Sequence, residues 1–209
     1  MPTYELIKTL NFFKVLDKIQ IKKLLEISSI HTYSQDYILY YEQTRTKYLY
    51  FLISGLAKSY KIDKNENEIF LYYIQPDSII SEVSTLNEKM LVSYSNIVFI
   101  EDSYVLRVDY ELFLNHFIQN GVLTYQLMQE IIKRNKKLET LINREFIFDA
   151  VTKVTMMIEN DLEMFNKLKR HDIALILHIQ PATLSRVLKK LKKDGIIDIV
   201  HGKVIKEKL

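Results

Sequence analysis

The sequence predicts an α+β chain: a β-rich body set between helices, followed by a basic helix-turn-helix with a wing. Three observations predict it. The hydrophobic period is helical near the N-terminus, gives way to short β-type runs from about His31 to Val108, and turns helical again from Glu111. One Pro and one Gly bracket a single cationic helix in HIQPATLSRVLKKLKKDGII, residues 178–197, although the chain has only 3 Pro and 4 Gly. The formal net charge of +3 is unevenly spread: residues 165–209 hold 11 Lys+Arg against 4 Asp+Glu, whereas residues 1–164 hold 18 against 22.

The opening helical stretch covers residues 4–30, with Leu6, Leu10, Phe13, Leu16, Ile21, Leu24, Leu25 and Ile27 at apolar positions. The runs YILYYE, YLYFLISG, LAKSYKI, EIFLYYI, SYSNIVFIED and YVLRVD follow. Their β-branched and aromatic content and polar spacers read as strands of an antiparallel sandwich or roll. Gly55 suits a tight turn or bulge, and Ile62–Ile69 a hairpin loop. Beyond Glu111, Leu127, Ile131, Leu138, Ile142 and Phe146 lie along one helical seam interrupted by Asn135. Steps of four, seven, four and four suit a helix paired with another helix, and a polar Asn in such a seam fixes register. The alternative is a helix packed on its own β-domain. VTKVTMMIENDLEMF continues as an amphipathic helix, and a second domain begins near it.

Pro181 fits the first helical position, where its missing N–H has no partner to lose, and Gly195 fits the position just past the end. The helix expected between them, Pro181–Asp194, carries Leu184, Val187, Leu188 and Leu191 on one stripe. Ala182, Ser185, Arg186 and Lys189 share another face. It is short near the N-terminus and cationic further on, as a helix in a DNA major groove requires. Arg186 can take a guanine edge bidentately, Ser185 can bond a base or a phosphate, and Lys189, Lys190, Lys192 and Lys193 can meet phosphates. Upstream, KRHDIALILH offers a shorter helix with Ile173, Ala174 and Leu177 inward; downstream, GIIDIVHGKVIKE reads as two strands around His201–Gly202–Lys203, a wing. The positive tail points to a polyanion partner; a merely solvated Lys-rich helix is the other reading.

With 209 residues, 48% hydrophobic and 26% charged, the chain suits one large or two modest packed domains. It has no Cys, which excludes disulfides, Fe–S clusters and thiolate zinc sites. No secretory signal or run of about 18 apolar residues is recognised, so a cytoplasmic protein is expected. No G-x-S-x-G, phosphate-cradling Gly-rich loop or H-E-x-x-H occurs, so no enzyme is expected.

These residues resemble the Crp/Fnr family of bacterial transcription regulators over nearly the whole chain. The strongest part is KRHDIALILHIQPATLSRVLKKLKKDGIIDIVHGKVI; YKIDKNENEIFLYYIQPDSIISEVSTL is similar to the family's effector-domain hairpin and the segment after it. The resemblance implies a cyclic-nucleotide-binding-type β-roll with N-terminal helices over 1–120, a long dimerisation helix over 121–146 and a winged helix-turn-helix over 147–209. It implies a homodimer on double-stranded DNA. The DNA-binding set it carries over is Arg170, Gln180, Pro181, Ala182, Thr183, Ser185, Arg186, Lys189, Lys190, His201 and Lys203. The dimerisation set is Leu127, Ile131, Asn135, Leu138 and Ile142. Ala182 stands where the family often has Glu, which removes an acceptor for a cytosine amino group, and His178 stands where the inter-helix turn often has Gly.

The candidate effector pocket is Ser81, Glu82, Ser93, Tyr94 and Leu138. Glu82 matches the cyclic-nucleotide-binding pattern, but Ser81 replaces Gly, no Arg follows near Ser93 and Tyr94, and Leu138 and Glu139 replace the Thr-Ser pair of the long helix. A cyclic phosphate needs a guanidinium and backbone amides. The expectation is therefore no cofactor and no metal, with a signal other than a cyclic nucleotide or none. Haem sensing NO or CO is an alternative, with His31, His116 and Met128 as candidate ligands. The resemblance also implies RNA polymerase as a partner of activators, through the loop Asp63–Glu68, whose other reading is a solvated turn. Two further alternatives are a winged-helix replication initiator and a β-roll interaction protein whose basic tail binds a protein.

Overall fold

The computed structural model describes residues 3–200 and 202–206, and only the backbone at 144–146. It divides into two compact units, residues 1–136 and 137–209, so the division falls inside the long helix.

The first unit begins with α1 (Tyr4–Thr9), a 3-10 turn (Asn11–Phe13) and α2 (Lys18–Glu26). The helical spacing over 4–30 is thus carried by separate pieces. Asp17 breaks it, because its extended backbone starts α2 with a capping box: Gln20 N–H donates to the Asp17 carboxylate at 2.8 Å, and Asp17 N–H donates to Gln20 Oε1 at 2.9 Å. The stretch also ends sooner than its spacing suggests, since a strand starts at Ser28. Ten strands follow: β1 (Ser28–Tyr33), β2 (Ile38–Tyr40), β3 (Arg45–Thr46), β4 (Tyr48–Ser54), β5 (Ala57–Ile62), β6 (Glu68–Ile74), β7 (Ser78–Ile79), β8 (Leu91–Val92), β9 (Asn96–Phe99) and β10 (Ser103–Asp109). They form antiparallel sheets in the orders β1-β10-β4-β7 and β2-β9-β5-β6, with β3-β8 as a small third.

Neighbouring residues of β4 and β10 serve different cores. Phe51 and Leu106 belong to a cluster with Ile7, Phe12, Phe13, Phe113 and Phe117. Leu52 and Val105, one step along and therefore on the opposite face, pack with Ala57, Ile74, Ile97 and Phe99. Burial on both faces is why YLYFLIS is a continuous apolar run rather than an alternating one. Gly55 links β4 to β5 with φ +94°, and a Cβ there would lie 2.2 Å from Ser103 Oγ and 2.7 Å from the Asp102 carbonyl oxygen.

After β10 come α3 (Tyr110–Phe113), a π-helical turn (Leu114–Ile118) and α4 (Thr124–Phe146). Leu127, expected in the dimerisation seam, is 3% exposed and sits in the first core cluster. Leu127 is thus packed within its own unit. Met128, Ile131, Asn135, Leu138 and Ile142, spaced three, four, three and four, are among the exposed residues of α4. Leu127 is one residue, about 100° of helix, away from that line and turns into the β-domain.

The second unit contains α5 (Ala150–Asn160), α6 (Leu162–Lys167), α7 (Arg170–Ile176), α8 (Pro181–Lys193) and a hairpin of β11 (Ile197–Val200) and β12 (Lys203–Lys206). The amphipathic run expected to continue through VTKVTMMIENDLEMF is broken at Asp161, which ends α5 and caps α6 by accepting from Met164 N–H at 2.9 Å. Among the described residues no helix is long and apolar enough to cross a membrane.

Candidate functional site

The turn between α7 and α8 is built by backbone geometry. His178 N–H donates to the Leu175 carbonyl at 3.1 Å and Ile179 N–H to the Ala174 carbonyl at 3.0 Å, a Schellman ending. It requires a left-handed residue, and His178 takes that conformation at φ +50° where Gly would be unstrained. Pro181 then opens α8 at its first turn. The helix ends in the same motif, with Gly195 at φ +70° and donating to the Lys192 carbonyl at 3.1 Å. Ile173, Ala174 and Leu177 face inward from α7 and its end, and Leu184, Val187, Leu188 and Leu191 from α8.

Opposite that stripe, by the 100° step of the helix, stand Ala182, Arg186, Lys189 and Lys193, all exposed. Arg186 Nε reaches back to the Ala182 carbonyl at 3.4 Å, and its guanidinium is otherwise available. Gln180, Pro181, Ser185 and Lys190 are exposed beside this face, and Thr183 is half-buried. Lys190 lies close enough to Asp149 to help hold that carboxyl below its usual range, behind the larger effect of Thr152 donating to it. Lys192 pairs with Asp198 at 2.5 Å.

The wing is fastened by groups that sequence reading missed. Asn166 Nδ2 donates to the Val204 carbonyl and Val204 N–H to Asn166 Oδ1, both at 2.8 Å, so one amide serves both polar groups of a strand residue. Arg170, expected to contact DNA, lies over the Phe165 ring at 5.3 Å and donates to the Gly202 carbonyl at 3.2 Å. It braces the wing turn, and partial burial lowers its pKa from the usual guanidinium value. Lys203 is exposed beside that turn; His201 lies outside the described residues. Asn166 follows no periodicity, and only the packing of α6 on β12 gives it a role.

The β-roll residues form a second constellation. Ser81 Oγ accepts from Tyr50 N–H at 2.9 Å, and Ser93 Oγ donates to the Tyr41 carbonyl at 2.6 Å. These serines pin loops to strands. Glu82 is 5% exposed; it accepts from Tyr94 N–H, from Ser95 Oγ at 3.0 Å, and from Arg134 Nη2 in an ion pair. Arg134 also lies over the Tyr72 ring at 5.8 Å. A guanidinium therefore does reach this region, from α4 rather than from the segment around Ser93. Leu138, expected in the pocket, is one helical turn beyond Arg134 and groups with the second unit. Burial, with the Glu82 charge adding to it, pushes the Tyr40 hydroxyl well above its usual value; burial also raises Tyr72, against the opposing effect of Arg134. The Tyr94 side chain is exposed.

Of the candidate haem ligands, His31 on β1 is 3.0 Å from Ser29 Oγ, His116 sits edge-on to Phe117, and Met128 is exposed on α4. The loop after β5 is organised by Asp63, whose carboxyl is held below the usual range first by Asn67 Nδ2 donating at 3.1 Å, then by Asn67 N–H at 2.9 Å and Asn65 N–H at 2.7 Å.

A helix-turn-helix with a braced wing and an outward basic face, on a chain whose other unit is a β-roll, defines a DNA-binding transcription regulator. Comparison with known proteins agrees. A model described as a cyclic nucleotide-binding domain matches residues 30–120, and one described as a Crp-like helix-turn-helix domain matches residues 156–207. The chain belongs to the Crp/Fnr family of transcriptional regulators. It is 24% identical to the anaerobic regulatory protein of Bacillus subtilis (strain 168), over 95% of this chain and 84% of that one. Its fold is similar to CooA, in a mutant form, from Carboxydothermus hydrogenoformans: TM-score 0.72, 20% identity, 98% of this chain and 92% of that one. It is also similar to the c-di-GMP-responsive global regulator CLP of Xanthomonas campestris, with TM-score 0.71 and 17% identity, over 92% of this chain and 100% of that one.

Proposed function

We propose that the protein regulates transcription as a homodimer that reads a palindromic DNA site, and that cyclic nucleotides are not its signal. The observation that carries the reading is the outward face of α8, where Arg186 stands between small Ala182 and the phosphate-range charges of Lys189 and Lys193. The exposed Met128, Ile131, Asn135, Leu138 and Ile142 of α4 have the three–four spacing of a two-stranded coiled coil, which supports the dimer. Two-fold symmetry then sets half-site centres about one helical turn apart. Glu82 argues against a cyclic nucleotide: its oxygens already accept from Arg134, Ser95 and Tyr94, and the hydroxyls of Ser81 and Ser93 are engaged by backbone.

The test is selection from a randomised duplex pool by the purified, untreated protein, repeated with Arg186→Ala. The expected result is an enriched palindrome whose preference flattens at one base pair per half-site in the variant, costing roughly 1–3 kcal/mol against that base. Equal weakening on every sequence would make Arg186 a phosphate contact. Salt-sensitive retention of all duplexes without enrichment would refute sequence reading by the untreated protein.

A further inference from the structure

The second unit holds a cavity of about 170 Å³ away from the outward face of α8. Lys153, Met156 and Met157 of α5, Ile176 and Leu177 at the end of α7, and Phe148 from the connector after α4 line it. A cavity of about 150 Å³ lined by aliphatic and aromatic groups admits benzene, so a ring or short acyl chain fits here. Two methionines in the wall let it adapt to the shape of what enters.

Lys153 is the one charged residue of the lining and is 8% exposed. Among the described residues no carboxylate pairs with its ammonium. A lysine in such a wall can run its apolar stem along it and keep its head toward water. An ammonium with no counter-ion at the edge of an apolar cavity is free to hold a carboxylate through a charge-assisted hydrogen bond. We propose that this cavity binds a small amphipathic carboxylate, with an apolar body of about six to eight carbons inside and the carboxylate on Lys153. Ile176 and Leu177 immediately precede the His178 turn, so the ligand would press on the segment that orients α8. That coupling rests on the DNA-binding reading above; the binding itself does not.

The experiment uses the full chain labelled with 13C at its 6 Met methyl groups and titrated with sodium octanoate. Met156 and Met157 report on the cavity, and Met90 and Met128 on the first unit. The expected result is saturable shifts at Met156 and Met157, with Met90 and Met128 unmoved. Lys153→Leu should weaken octanoate by about tenfold, the value of one charge-assisted contact, and remove its advantage over 1-octanol. Ile176→Phe fills the cavity and should abolish the shifts while leaving the spectrum dispersed, so the test survives if Lys153→Leu fails to fold. No response at Met156 and Met157, or an unchanged affinity in Lys153→Leu, overturns the proposal. So do equal shifts at Met90 and Met128, which mean adsorption to apolar surface. Shifts of Met156 and Met157 with protein concentration alone would assign the cavity to a second copy and overturn it too. Octanoate that binds as expected but leaves DNA affinity unchanged would remove only the coupling.

Discussion

Arg134→Met tests whether the Glu82–Arg134 pair holds the first half of α4 to the β-roll. The Glu82 side chain is 4% exposed and that of Arg134 29%. Removing one partner of a fully buried pair costs about 3–5 kcal/mol, and a hydrogen bond to a charged group contributes about 1.5–3 kcal/mol. Here the carboxylate keeps two neutral donors, Tyr94 N–H and Ser95 Oγ, and Arg134 is partly solvated. The expected loss is therefore at the lower end, about 2–3 kcal/mol. Glu82→Gln in the same chain removes the stranded charge, and the double variant should recover to within about 1 kcal/mol of wild type. Urea unfolding followed by near-ultraviolet tyrosine dichroism is the assay, because all 14 Tyr lie in residues 1–136 and the signal reports on the first unit alone. A coupling below about 0.5 kcal/mol in the double-mutant cycle would refute the reasoning and leave the pair a solvated contact.

Gly55→Ala should destabilise the first unit by about 3 kcal/mol or more, from the left-handed backbone and the encounter with Ser103 and the Asp102 carbonyl. Gly121→Ala, also at positive φ but with nothing within 4 Å, should cost only about 1–2 kcal/mol; equal losses in the same tyrosine-detected titration would show that the close approach does not matter. Burial pushes the Tyr110 hydroxyl up to about 12. The unfolded chain gives up this proton first, so stability is complete below pH 10 and falls as pH rises from there toward about 12, with a slope of at most about 1.4 kcal/mol per pH unit. Tyr40 and Tyr72, also raised by burial, add to the loss in the same direction, so Tyr110→Phe should reduce the alkaline slope by the Tyr110 share without abolishing it, and an unchanged slope would refute a contribution from Tyr110.

Local patterns along the chain were enough to place α8, its Pro and Gly boundaries, its inward stripe and the strands of the roll. Each depends on residues within a few positions of one another, where helix period, caps and β-type composition act directly. The same spacing misled at two places. Leu127 and Ile131 read as one seam, but a line of i, i+4 positions drifts around the helix, and only the packed β-domain decided that Leu127 turns inward. The continuous apolar spacing over 4–30 hid the break at Asp17, where a cap outcompeted one more helical turn.

The sequence by itself determined the order of elements and the charge of the α8 face, because both follow from short-range periodicity and composition. Only the tertiary structure decided which groups meet across distance. Arg134 reaches Glu82 from 52 residues away, and Asn166 reaches Val204 from 38. Arg170 is drawn to the wing turn 32 residues on. Nothing in the local pattern encodes these partnerships. They exist because two cores and a hairpin bring particular backbone and side-chain groups within hydrogen-bonding range, and a buried polar group has to be answered by whatever stands opposite it.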